Sequence, residues 1–150
     1  MDRRASPFKY RLAPLLKLDQ WEGSVLGVEL KRARQLLEEK QRLYREILQR
    51  IEQAQVEMRQ LHRDDAQIPI ERTRLLSAYL QDQYAAAEAR GNDVSRAEKL
   101  FEQIMAQRAA KQQKVRALEQ HRDREQQEHD AEQNRAGLRA ADELWLITRR

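Results

Sequence analysis

With 36% charged residues and 5% aromatics, the 150-residue chain is too polar to enclose a broad core. It suits long helices that share a thin apolar seam and turn charged faces outward. The mean hydropathy is −0.97, the four glycines and three prolines offer little turn chemistry for a sheet, and the absence of cysteine excludes disulfides, thiolate chemistry and cysteine zinc sites. The net charge of +4 comes from 29 basic against 25 acidic residues, a nearly balanced surface that carries no weight as evidence for nucleic acid.

No apolar run approaches the roughly 20 residues needed to cross a bilayer, so direct membrane insertion is not expected. The start, Met1 to Tyr10, is basic and lacks the apolar segment of a signal peptide. The expected setting is the reducing cytoplasm.

Pro7 and Pro14 mark an irregular opening, and Pro14 suits a first helical turn, where its missing amide hydrogen costs nothing. Helix one is predicted from about residue 14 to about residue 62, ~70 Å long at ~1.5 Å per residue. Its central feature is an unbroken alternation of four- and three-residue steps: Leu26, Leu30, Ala33, Leu37, Lys40, Tyr44, Ile47, Ile51, Ala54, Met58 and Leu61. Only Lys40 in that series is polar. A 3.5-residue repeat held so long makes a narrow stripe that a partner helix must cover, which is a coiled-coil strand. Run backwards, the same phase meets Gly23 and Asp19 before Leu16 and Leu12, so the first turns are expected to coil less firmly.

The connection is expected at residues 63–70, where turn-forming acids precede Pro69. Helix two is predicted from about 70 to about 141. Arg90-Gly91-Asn92-Asp93 looks like a helix stop, and Ser95 with Glu98 looks like a capping box. Yet the heptad phase passes through it, as Leu76, Leu80, Gln83, Ala87, Arg90, Val94, Ala97, Phe101 and Ile104. A turn has no reason to keep that register, so a continuous helix with a soft spot is favoured over three helices. Beyond Leu118 the seam fades, because residues 119–135 hold no large apolar side chain. They are expected to form a solvated single helix or to fray. Leu144-Trp145-Leu146-Ile147 then restores an apolar cluster of the kind that marks a contact.

These elements predict an all-α fold, a long antiparallel two-helix coiled-coil hairpin in one rod-like domain over residues 1–150. Leu61 would face Leu75 and Leu26 would face Ala110. Enzymatic activity is not expected. The glycines stand apart from one another, so no phosphate loop exists, and none of Ser6, Ser24, Ser77, Ser95, Thr73 or Thr148 sits in a nucleophile elbow. No cofactor is implied.

His121, Glu125 and His129 fall on one helical face at steps of four, but the spacing matches no established metal motif, and a solvated polar face is the reading taken. The basic clusters, Arg3-Arg4 with Lys9 and Arg11, and Arg108, Lys111, Lys114 and Arg116, are not dense. No aromatics interleave them, so nucleic acid is not an expected partner. For Tyr44, Tyr79 and Tyr84 two readings stay open: seam packing, or a recognition patch in the half nearer the turn.

The opening Phe8-Lys-Tyr-Arg-Leu-Ala-Pro-Leu-Leu-Lys-Leu18, leading into a long heptad helix, resembles the flagellar export protein FliJ family. The related stalk proteins of virulence type III secretion look similar in size and pattern, and Leu76-x-x-Tyr79-Leu80 resembles that family's second helix. The resemblance implies an antiparallel coiled coil like the central shaft of rotary ATPases, monomeric when free. Its ends would enter the pore of a hexameric export ATPase. Its turn-proximal half would contact the cytoplasmic part of the export-gate membrane protein and escort export chaperones, with the protein held peripherally at the inner membrane.

Carried over, the ATPase end would comprise Phe8, Lys9, Arg11, Leu12, Pro14, Leu15 and Lys17, joined by Trp145, Arg149 and Arg150 from their expected location. The gate-binding patch would comprise Tyr44, Leu48, Ile51, Tyr79, Leu80 and Tyr84. The soft spot at Gly91 and the apolar ending depart from the family pattern and leave flagellar or virulence membership open. The competing reading is a structural or adaptor coiled coil without a motor partner. A parallel homodimer is disfavoured, because Lys40, Arg108 and Lys111 would then meet their own copies across the two-fold axis.

Overall fold

The computed structural model describes residues 6–63, 67 and 69–149. It is all-α: α1 spans Ala13–Arg63, α2 spans Ile70–Thr148, and the two pack antiparallel as a hairpin. None of the described helices is long and apolar enough to cross a membrane. Residues 64–66 and 68 of the expected connection lie outside the described residues. Gln67 has a φ of +54°, in the left-handed region, and the Pro69 carbonyl accepts the Thr73 amide at 3.0 Å to open α2.

The chain divides into two compact units, Leu26–Gln107 and a second that joins Met1–Val25 to Arg108–Arg150. In the Leu26–Gln107 unit every residue of the 3-4 series on both helices is buried or half-buried. Its core is Ile47, Ile51, Ala54 and Leu80, with Met58, Leu76, Ala86 and Ala87 packed against them. Tyr44 meets Gly91 and Arg34 lies over the Phe101 ring, the register that pairing Leu26 with Ala110 requires to within one residue.

The helix does not break at residues 91–93. A Cβ at Gly91 would meet the Tyr44 ring at 3.6 Å, an ordinary van der Waals contact, so the seam tyrosine packs directly over this position. On the outer surface Arg42 bridges Glu39 and Glu46 along α1, and Arg72 reaches across to Glu57.

In the terminal unit the structure corrects three expectations. The seam continues back through Gly23, Asp19, Leu16 and Leu12, all buried or half-buried, so the first turns are as well covered as the rest. The reason is Lys111: its stem passes Gly23, and its ammonium donates to Asp19 at 2.9 Å and to Glu22 at 2.6 Å. A polar seam residue that weakens the apolar pattern is here matched by a polar partner.

Second, α2 continues to Thr148 rather than ending near residue 141. Third, the face beyond Leu118 is not wholly solvated: Arg122, Glu125, His129 and Gln133 keep the 3-4 phase approximately and are half-covered. The non-helical segment before α1 lies against part of it, with Phe8 beside His129 and Tyr10 beside His121.

Gly137 sits in the part of α2 beyond these contacts, and a side chain there would meet nothing within 4 Å. Gly137→Ala should therefore stabilise this stretch by about 0.5–1 kcal/mol, the helix-propensity gain with no steric cost. Slower amide exchange over residues 132–145 is the expected readout; unchanged or faster exchange would contradict it.

Candidate functional site

The opening motif is held by a latch. The Tyr10 carbonyl accepts the Ala13 amide at 3.2 Å and the Leu12 carbonyl accepts the Leu16 amide at 3.0 Å, turning the extended segment into α1. The Tyr10 hydroxyl donates to the Leu118 carbonyl at 3.2 Å and lies 2.9 Å from Nδ1 of His121. The Phe8 and His129 rings are tilted against each other with centroids 5.6 Å apart.

Phe8 and Leu12 of the expected ATPase-end set are thus half-buried within the molecule, while Lys9, Arg11, Pro14, Leu15 and Lys17 are exposed. Among the described residues no carboxylate pairs with Lys9, Arg11 or Lys17. The first acids along α1, Asp19 and Glu22, are both engaged by Lys111.

Trp145 and Arg149 belong to the same unit as the opening motif. The Arg149 guanidinium stands 4.5 Å from the centroid of the Trp145 ring, a cation–π contact at the last turn. Thr148 Oγ1 donates back to the carbonyl of Leu144 at 3.0 Å. Leu144, Trp145, Leu146 and Ile147 are all exposed, so four consecutive apolar residues surround most of the helix circumference. Arg150 lies outside the described residues.

The expected gate patch is divided by burial and by direction. Ile51 and Leu80 are core residues, and Tyr44 is half-buried on Gly91. Leu48, Tyr79 and Tyr84 are exposed. The Tyr84 hydroxyl accepts from Gln55 Nε2 at 2.8 Å, which puts Tyr84 on the edge that also carries Leu48, one heptad before Gln55. Tyr79 is about 140° around α2 from Tyr84 at 3.6 residues per turn. Tyr84 and Leu48 therefore make one surface, and Tyr79 another.

The electrostatic centre of the terminal unit is Lys111. Hydrogen bonds from its ammonium to Glu22 and Asp19 hold its pKa above the ordinary 10.5. Asp19 is buried, so this is a charge pair inside the seam rather than a surface decoration. Removing one partner of such a pair leaves an uncompensated charge in the seam.

His121 and Glu125 are engaged with each other, whereas Nδ1 of His129 is buried without a hydrogen-bond partner among the described residues. Nε2 of His121 faces Glu125 at 3.4 Å while its Nδ1 faces Tyr10, and His129 Nδ1 lies 3.7 Å from Asp130. Among the described residues no group of three or more ligating side chains is placed to hold a metal ion. A groove of about 190 Å³ lies between Leu36 and Lys40 of α1 and Asp93, Arg96, Ala97 and Leu100 of α2.

One surface was missed by reading the seam alone. Leu15, Leu18, Trp21 and Val25 are exposed by 45, 49, 64 and 37% on the face of α1 turned away from α2. Their steps of three, three and four carry the signal, but it is overlooked when only the longest heptad series is followed. Compared with models of known protein families, with curated proteins and with solved structures, the chain matches none of them.

Proposed function

We propose that the protein is a non-enzymatic stalk and escort component of a bacterial flagellar or type III protein export apparatus. In this reading the start of α1 and the end of α2 enter the pore of a hexameric export ATPase. The turn-proximal half meets the export-gate membrane protein, and export chaperones are further partners. The protein would be cytoplasmic and peripheral to the inner membrane.

The observation that carries the reading is the conjunction of an antiparallel two-helix hairpin with the Phe8-to-Leu18 opening. In support, residues from both chain ends belong to one unit, and that unit offers exposed cations that no carboxylate among the described residues pairs with.

The mechanism is coupling without chemistry. A shaft in a ring's pore favours those subunit conformations that it contacts better, and the difference in contact free energy sets the size of the bias. Lys9, Arg11 and Lys17 would meet acidic pore loops. Tyr84 with Leu48, and Tyr79 on its separate face, would serve the gate, while Ile51 and Leu80 would support that surface from beneath.

Exchanging Lys9, Arg11 and Lys17 together for Glu should abolish stimulation of the ATPase while leaving helicity intact. An unchanged rate would overturn the assignment of these cations. An adaptor coiled coil without a motor partner is the reading that remains if the ATPase neither binds nor responds.

A further inference from the structure

We propose that the outer face of α1 from Leu15 to Val25 is a docking surface for an acidic amphipathic α-helix of another protein. Leu15, Leu18, Trp21 and Val25 occupy an arc of about 120° at 100° per residue, the width of the apolar face of an amphipathic helix. That arc faces away from the seam formed by Leu12, Leu16, Asp19 and Gly23. Trp21 is exposed by 64%, although tryptophan is largely covered in most folded proteins.

Between the exposed Val28 and Val56 the same heptad phase on α1 is polar. From residue 32 to residue 53 it carries Arg32, Gln35, Glu39, Arg42, Glu46, Gln49 and Gln53. The apolar outer face is therefore local. Its repeat is that of a surface read by another helix, whose side chains interdigitate at three- and four-residue steps.

The charge around the stripe selects the partner. Arg11 and Lys17 border it, exposed and without a carboxylate partner among the described residues, whereas Asp19 and Glu22 are spent on Lys111. Residues 9–25 hold three basic side chains, Lys9, Arg11 and Lys17, and two acidic ones, both engaged by Lys111. An acidic helix complements that rim, and a basic one is repelled.

A second copy fits worse on two counts. The exposed apolar area is on the order of 400 Å², about half of what each partner of a stable dimer contributes. Pairing the face with itself would also set basic rim against basic rim.

The inference deepens the reading above by giving the chemistry of what meets this face. It rests on that reading only for which protein would supply the helix. The test needs no ATPase, so its failure leaves the ATPase result standing, and the reverse also holds.

Trp21 can be made the sole tryptophan of the full chain by Trp145→Phe and its emission followed on titration. The probes are a synthetic 21-residue helix with Leu at 3-4 spacing and Glu and Ala elsewhere, its Lys-for-Glu counterpart, and phosphatidylserine/phosphatidylcholine vesicles. A saturable blue shift with the acidic peptide is expected, with a Kd on the order of micromolar. The basic peptide should bind roughly tenfold or more weakly, and Leu18→Glu should weaken the acidic peptide by roughly tenfold. Leu18 is half-exposed and off the seam, so this variant should keep its helicity by circular dichroism. Leu18→Gln serves in its place if it does not.

No shift with the acidic peptide would overturn the proposal, as would equal response to both peptides. A shift with vesicles alone would assign the face to a membrane surface instead. A blue shift on concentrating the protein by itself would assign it to a second copy.

Discussion

Leu80→Ala is expected to destabilise the Leu26–Gln107 unit by about 2–3 kcal/mol, the lower part of the range for a buried leucine. Leu80 is 9% exposed and belongs to the cluster with Ile47, Ile51 and Ala54. A two-helix seam has no second layer to close over the lost volume, but water reaches its edges, so the cost stays below that of a deep core. Leu48→Ala, at a residue exposed by 42%, is the control and should cost under about 0.5 kcal/mol. Amide exchange across residues 44–58 and 76–94 reads both, and a Leu80→Ala effect no larger than that of Leu48→Ala would contradict the assigned core. The same pair separates support from contact: Leu80 acts beneath the proposed gate surface, whereas Leu48 is part of it.

Lys111→Glu should open the terminal unit while leaving the Leu26–Gln107 unit closed. The substitution removes the ammonium that the buried Asp19 and Glu22 hold, and sets a third carboxylate beside them. Protection of the amides of residues 13–25 should fall roughly tenfold or more, with those around Ile47 and Ile51 unchanged. Replacing Asp19 and Lys111 together by Leu should restore protection, because no buried charge is then left unpaired. Loss of protection in the double variant as well would show that the pair is not what closes the seam there.

The alkaline limit follows from the same contact. The pKa of Lys111 is raised by Glu22 and Asp19 above its ordinary 10.5. Its contribution to stability is therefore complete below about pH 10.5, and is lost as pH climbs through the raised value. Exchange or near-ultraviolet dichroism of the terminal unit should move in that window, and Lys111→Glu should not show the transition.

The parts of the fold legible in sequence are those that depend on periodicity. The series from Leu26 to Leu61, and from Leu76 to Ile104, specify both seams, since each side chain at a 3.5-residue step is covered by the other helix. Continuity across Gly91 was legible for the same reason: register preserved through a glycine argues against a turn, and Tyr44 packs against that position.

The terminal unit was harder to read because its coverage depends on pairs rather than on runs. Asp19 looks like a defect until Lys111 is set opposite it, and 92 residues separate the two. Likewise His121 and His129 look solvated until Tyr10 and Phe8 are brought across from the other end of the chain. The outer stripe at Trp21 was hidden for a different reason. Three- and four-residue steps on the outside of a coiled coil do not contribute to the seam, and only exposure distinguishes them.

Of the candidate binding residues, exposure separates those available to a partner from those that hold the fold. Lys9, Arg11, Leu15 and Lys17 are available, as are Leu48, Tyr79, Tyr84 and Trp145. Phe8, Leu12 and Tyr44 are half-used inside, and Ile51 and Leu80 are core. No pattern rule applied to single residues makes that division, because it follows from which helix edge each heptad position occupies once two helices are paired.

The most direct measurement is ATP hydrolysis by a hexameric export ATPase from the same organism, with and without this protein, alongside co-elution of the two. Stimulation together with a stable complex is the predicted result. A rate unchanged at saturating protein, with the two eluting separately, would contradict the stalk reading.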